Sequence, residues 1–132
     1  MLGPDVIRQR VMQCLQEQRL LVQTLLKLRE QLQGSLFARY GECGKPTCIC
    51  RSGAKHGPYY VLSTRKGGRS GFSYVETDKL QTAREHVHGY RQFRHGLRRL
   101  KRLNAEIVRL LKRYQAAASR RGGRRLGLAV SA

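Results

Sequence analysis

The chain has 132 residues, with 27 Lys plus Arg against 8 Asp plus Glu and a net charge of +19 at pH 7. That length suits one compact domain or one extended motif rather than two sizeable cores, and so one-sided a surplus repels itself unless a polyanion neutralises it. No apolar run approaches the roughly 20 residues that span a bilayer, and Met1 to Arg10 has no signal-peptide apolar core, so a cytoplasmic protein without a membrane partner is expected.

The first predicted element, within residues 1–33, is a helix from about Asp5 to Gln33. Pro4 suits the first helical turn and Gly34 the C-terminal cap. Alternating steps of four and three give the stripe Ile7, Val11, Cys14, Gln18, Leu21, Leu25, Leu28 and Leu32, apolar except at Gln18. Cys14 falls on this stripe and reads as a small core residue rather than a ligand.

Residues 34–76 change character. Glycine becomes frequent, three of the four cysteines cluster, and short β-prone runs stand at Ser35–Tyr40, Tyr59–Thr64 and Phe72–Val75. The turn Lys66-Gly67-Gly68-Arg69 predicts a hairpin between the last two runs. Cys43, Cys48 and Cys50 are followed by His56. Three thiolates and an imidazole are the usual donor set of a closed structural zinc site. Disulfides are rare in the cytosol, which also favours a metal. Gly44 and Pro46 provide the turn that returns Cys43 to Cys48 and Cys50. Reduced structural cysteines, a Cys48/Cys50 redox pair and an iron–sulfur cluster are the other readings. His86, His88 and His95 are further candidates for the fourth ligand. Only Glu42 among the carboxylates lies near the cysteines, so a catalytic zinc with an open position is not expected.

The run Cys43-Gly44-Lys45-Pro46 with Cys48 and Cys50, then His56-Gly57-Pro58-Tyr59-Tyr60 and Leu62-Ser63, resembles an uncharacterised family of small bacterial and archaeal proteins. The resemblance runs from about Gly34 to Tyr114. It implies one module of cysteine signature, Gly-rich hairpin and long basic helix, and implies no activity.

Residues 77–118 return to a helical pattern, with Thr77 as a candidate N-cap and Asp78 in the first turn. Its stripe is read as Tyr90, Phe93, Leu97, Leu100, Asn104, Ile107, Leu111 and Tyr114. The polar interruptions Gln18 and Asn104 are each 14 residues from Leu32 and Tyr90. An antiparallel hairpin then pairs Leu32 with Tyr90, Gln18 with Asn104 and Ile7 with Tyr114, sparing each buried amide a loss of roughly 1–3 kcal/mol. The other reading leaves both amides in water at the seam's edge. Leu15, Val22, Leu26, Leu103, Val108 and Leu110 widen the apolar face and suit a homodimer or protein partner.

Residues 119–132 read as a flexible basic tail. The second helix and this tail carry +8 and +4 of the net charge. Arg supplies 20 of the 27 cations, and Arg binds phosphate bidentately where Lys does not. The predicted nucleic-acid surface is Arg91, Arg94, Arg98, Lys101, Arg102, Arg109 and Lys112, extended by Arg120, Arg121, Arg124 and Arg125. Tyr59 and Tyr60 read as packing residues, either of which can stack on an unpaired base.

Enzymatic motifs are not found. Lys66-Gly67-Gly68-Arg69 lacks the context of a P-loop, no carboxylate pair is placed for acid–base work, and Ser63, Ser70 and Ser73 have no His–Asp partners. The expected fold is mainly α: an antiparallel two-helix coiled-coil hairpin with a zinc-bound β-hairpin module at the connection. The expected function is non-enzymatic nucleic-acid binding through the phosphate backbone, DNA ahead of RNA, as an accessory subunit of a DNA-processing or regulatory complex. A protein–protein adaptor and an RNA- or ribosome-associated protein are the alternatives.

Overall fold

The computed structural model describes residues 3–129. In chain order these form helix α1 (Pro4–Leu26), strand β1 (Ser35–Gly41), a 3-10 turn (Ile49–Arg51), strands β2 (His56–Lys66) and β3 (Arg69–Val75), a second 3-10 turn (Thr77–Lys79) and helix α2 (Leu80–Arg125). They fall into two compact units, one of residues up to Lys27 with Arg94 onward, the other of Leu28–Phe93. Neither helix is long and apolar enough to cross a membrane.

In the first unit, Pro4 opens α1 where its missing N–H is no loss, and Asp5 places a negative charge in the first turn. Ile7 and Leu25 are buried on α1, with Val11, Cys14, Gln18 and Leu21 half-buried between them. This is the expected stripe. On α2 the stripe differs by one residue at alternate positions. Gly96, Leu103, Leu110 and Ala117 are buried, while Leu97, Asn104, Leu111 and Tyr114 are exposed. Leu100 and Ile107 hold the intervening half-buried places as expected. The cause is Gly96. A Cβ there would collide with Leu25 Cδ2 and lie 2.9 Å from its Cδ1, so the absent side chain is what admits the leucine. Counting only large apolar residues passes over that glycine and shifts the seam to Leu97.

Gln18 Nε2 donates to Asn104 Oδ1 at 2.6 Å, and Glu17 pairs with Arg99. Leu25 thus meets Gly96 while Gln18, earlier on α1, meets Asn104, later on α2, so the two helices run antiparallel within this unit. The expected amide pair forms, but at the edge of the seam, with Asn104 in solvent. Tyr114, expected opposite Ile7, is exposed. Thr24 Oγ1 donates to the Leu20 carbonyl near the end of α1.

The second unit begins where α1 has ended, seven residues before the expected Gln33. Leu28 and Leu32 keep the apolar spacing but leave the helix. Leu32 N–H donates to the His86 carbonyl at 3.0 Å instead of to its own helix, which replaces the expected pairing of Leu32 with Tyr90. Leu28 packs beside Gly89, its Cδ2 3.7 Å from where a Cβ would sit, an ordinary contact distance.

The sheet order is β1-β2-β3, antiparallel throughout. The predicted hairpin forms at Gly67 and Gly68, both at positive φ, and Lys66 pairs with Arg69. On one face lie the buried Leu62 and the half-buried Leu36, Tyr60 and Val75. The guanidinium of Arg84 lies 5.9 Å from the centre of the Tyr60 ring, which places the start of α2 on that face. Leu80, Ala83 and Val87 of α2 are buried. Thr77 is not the N-cap of α2. It opens the preceding 3-10 turn, and the cap of that turn is Glu76, with no side-chain capping bond.

The expected tail from Ser119 is helical through Arg125, because α2 continues over Gly122 and Gly123. Propensity argued against this: a helical glycine costs about 1 kcal/mol relative to alanine. Residues 130–132 of that predicted segment lie outside the described residues.

The two α2 glycines Gly96 and Gly122 should respond oppositely to alanine. At Gly122 nothing lies within 4 Å of where a methyl would sit, so Gly122→Ala should stabilise by about 1 kcal/mol. Gly96→Ala should lose roughly 1–3 kcal/mol to overpacking against Leu25, outweighing the same helical gain. Urea unfolding of the two variants checks this. Equal stabilisation by both would contradict the close approach.

Candidate metal centre and cationic surface

The 14 residues from Glu42 to Lys55, between β1 and β2, contain no strand or α-helix. Local hydrogen bonds shape them. Cys48 N–H donates to the Lys45 carbonyl at 3.2 Å, closing the turn around Pro46. Arg51 N–H returns to the Cys48 carbonyl at 3.3 Å, and Gly53 N–H to the Ile49 carbonyl at 2.7 Å. These place Cys50 inward, where it is fully buried, while Ile49 beside it points to solvent.

His56 opens β2 opposite Gly41, and the register shifts between that pair and Arg39 with Tyr59. Gly57 occupies the irregularity at φ +128°. A Cβ at Gly57 would lie 2.8 Å from the Arg39 carbonyl oxygen. Only glycine fits this backbone at that distance, and the bulge brings the His56 ring to the cysteines.

The Sγ atoms of Cys43, Cys48 and Cys50 and a ring nitrogen of His56 all lie within 4.8 Å of one another. Cys43 Sγ and Cys50 Sγ are 3.5 Å apart, and Cys48 Sγ is 3.1 Å from His56 Nε2. An ion with bonds of about 2.0–2.3 Å in a tetrahedron sets its donors roughly 3.3–3.8 Å apart. The four residues can therefore hold a metal ion with little movement, and all the cysteines are free thiols. Among the alternatives for the fourth ligand, His86 instead meets Glu30 at 3.1 Å. His88 and His95 are exposed and join no such cluster among the described residues. Cys14 is half-buried on α1, apart from the group.

Lys55, passed over in the sequence, ties the loop together with Glu42, read there only as the carboxylate near the cysteines. Lys55 Nζ donates to Glu42 Oε1 at 2.5 Å and to the Cys50 carbonyl at 2.7 Å. Glu42 immediately precedes the first candidate ligand and Lys55 the last. Opposite charges flanking the first and last donors are the sequence signal that would have marked them.

The thiols are unequal. The backbone N–H of Cys50, followed by the His56 ring, stabilises the Cys48 thiolate and lowers its pKa from 9.0 to about 6. Cys50 accepts the Cys43 N–H at 3.3 Å, which pulls its pKa down. Burial and the neighbouring thiols outweigh that and push it up.

The predicted cationic residues Arg91, Arg94, Arg98, Lys101, Arg102, Arg109 and Lys112 are all exposed on α2. From Arg94 to Lys112 they stand off the buried line of Gly96, Leu103 and Leu110. Arg109 pairs with Glu106. Arg94, Arg98, Lys101, Arg102 and Lys112 make no ion pair among the described residues. Arg120, Arg121, Arg124 and Arg125 continue on the same helix, Arg120 half-buried and the other three exposed.

A family model described as Domain of unknown function (DUF6788) matches residues 12–85. It starts and stops earlier than the resemblance noted from the sequence, taking in most of α1, all three strands and the cysteine cluster, and ending just inside α2. No curated protein and no solved structure matches the chain.

The lowered Cys48 pKa gives a signed expectation for the metal-free protein. Its thiolate is favoured by folding, so this stabilisation is complete above the ordinary thiol value and is lost as pH falls through about 6. Thiolate absorbance should show one cysteine titrating near 6. His56→Ala should move that step upward by removing one of its hydrogen-bond partners. A lowest thiol step near 9 in the parent would contradict the arrangement.

Proposed function

The chain belongs to the family of the domain of unknown function DUF6788, and from that premise we propose that it is a non-enzymatic nucleic-acid-binding protein, DNA ahead of RNA, with a structural zinc ion. In this reading Cys43, Cys48, Cys50 and His56 hold the ion in a closed tetrahedral site. The antiparallel helices form a coiled-coil hairpin whose outer, cationic side contacts phosphates. The protein works in the cytoplasm as an accessory subunit of a DNA-processing or regulatory complex.

The observation that carries the nucleic-acid reading is the run of exposed α2 cations with almost no neighbouring acid. Between Arg91 and Arg113 the only acidic residue is Glu106, and Arg109 is its partner. A solvated helix normally mixes signs and pairs them at spacings of three or four. Here Arg94, Arg98, Lys101, Arg102 and Lys112 have no ion-pair partner among the described residues, at a Coulombic cost that a bound polyanion removes. Zinc is supported by the donor chemistry: three thiolates and one imidazole leave no position for a substrate.

A protein partner or second copy is favoured by one separate observation. Leu97, Val108, Leu111 and Tyr114 remain exposed on α2, and Val108, Leu111, Tyr114 and Ala118 line a shallow groove. A helical partner on this groove would make the protein an adaptor without using the cations.

Elemental analysis of the purified protein should find about one zinc per chain, and Cys48→Ser with Cys50→Ser should abolish it. A metal-free parent with the module folded would overturn the zinc site. For binding, affinity for duplex DNA should fall steeply with salt, with a log–log slope of about −0.9 per phosphate neutralised. Reversing Arg94, Arg98 and Arg102 to Glu should weaken binding on every sequence and flatten that slope. If the folded triple variant binds duplex DNA and structured RNA as the parent does, α2 is not the contact surface and the adaptor reading replaces it.

A further inference from the structure

Side chains alternate between the faces of a strand, and the register of this sheet gathers its aromatic residues unevenly. Phe37 on β1 and Tyr74 on β3 flank Val61 of β2 directly. Phe72 follows on the same face, opposite Ser63. Tyr59 also lies there, its ring meeting that of Tyr74 edge-to-face at 6.5 Å between centroids. The start of α2 occupies the opposite face, where Arg84 lies over Tyr60.

The aromatic face is open. Phe37 is 40% exposed, Tyr59 47%, Phe72 65% and Tyr74 70%, whereas Val61 between them is 1% exposed. The rings therefore border a packed floor and present themselves to solvent. Scattered exposed aromatics are ordinary, but four gathered on one sheet face form a contiguous patch, which marks a contact surface.

Charge identifies the occupant. Arg39 stands opposite Tyr59 and Arg65 lies on the same face of β2. Both are exposed and neither makes an ion pair among the described residues. No Asp or Glu occurs within the three strands. Flat rings bordered by free guanidinium groups and no carboxylate fit a ligand with π faces and a negative backbone. A purely apolar protein or lipid surface would leave the arginines unmatched. Tyrosine also offers its hydroxyl to base edges or sugars.

We propose that this face of the sheet stacks the unpaired bases of a single-stranded nucleic acid, with Phe37, Tyr59, Phe72 and Tyr74 as the platform and Arg39 and Arg65 meeting the phosphates. The inference rests on the nucleic-acid reading above but uses none of its α2 residues. It adds a preference for strands whose bases are free, since a duplex keeps its base faces stacked on one another.

The test measures fluorescence anisotropy of the full chain with labelled oligothymidylate, oligouridylate and duplex DNA, each about 12 nucleotides long. The double variant Phe72→Ala with Tyr74→Ala should bind both single strands at least about tenfold more weakly, because each aromatic–base stack contributes about 1–3 kcal/mol. Its duplex binding should stay within about twofold of the parent, since backbone contacts supply that term. Tyr74→Phe should keep single-strand affinity and Tyr74→Leu should lose it, which separates a π surface from mere apolar bulk. The chain has no tryptophan, so quenching of tyrosine emission on strand binding should report the stack directly. Tighter binding of either oligothymidylate or oligouridylate supports the platform and shows whether it prefers thymine on deoxyribose or uracil on ribose. Single-strand binding by the double variant equal to the parent's would overturn the platform and leave the α2 reading standing. Equal loss on duplex and single strands would also overturn it. A parent that binds none of the three ligands would overturn both.

Discussion

The loop from Glu42 to Lys55 has no core of its own, and that lack is the constraint on the module. Its one buried side chain is Cys50. Fixing a backbone residue costs about 1–2 kcal/mol in conformational entropy, and one buried thiol cannot offset 14 such residues. The main anchors are polar: the turn at Lys45–Cys48, the bridge from Lys55 to Glu42 and the Cys50 carbonyl, and the convergence of three sulfurs with the His56 ring. The bridge is exposed, and such pairs contribute little. The proposed metal bond set would supply the missing strength, since structural zinc sites supply folding free energy outright. The loop joins the adjoining sheet at Gly57 and the bulge that starts β2.

The helices solve a separate problem. A chain this basic gains nothing from bringing its cations together, yet α2 must bury an apolar line. Gly96 lets Leu25 reach the α2 backbone, and Gln18 with Asn104 closes the edge of the seam. The close approach directs apolar groups inward and leaves Arg94, Arg98, Lys101 and Arg102 outside. Cationic helix and aromatic sheet thus offer two chemistries to the proposed nucleic-acid partner, charge for phosphates and rings for bases.

Much of this was legible in the sequence where a local rule sufficed. The alternating β-prone runs and the Gly67-Gly68 turn gave the three strands, and donor type with Gly and Pro spacing gave the cysteine cluster. The α1 stripe was legible because its seam positions are large apolar residues. The α2 stripe was misphased because its tightest contact is made at a glycine, which carries no hydrophobic signal. The end of α1 was missed because Leu28 and Leu32 keep helical spacing while their packing serves the second unit. The helical run through Gly122 and Gly123 went against propensity. The aromatic face could not be read from any one strand: it needs the register that sets Phe37 and Tyr74 beside Val61. Tyr59 and Tyr60 look equivalent in sequence, but alternation places Tyr59 on the open face and Tyr60 under Arg84.

The central claim is that a bound ion orders the loop between β1 and β2. Amide hydrogen exchange of the purified protein, before and after treatment with a strong chelator, tests it directly. The account predicts that chelation removes protection from residues 42–56 and loosens the start of β2, while the α2 amides around Leu103 and Leu110 exchange as before. Unchanged protection of residues 42–56 after complete removal of metal would contradict it.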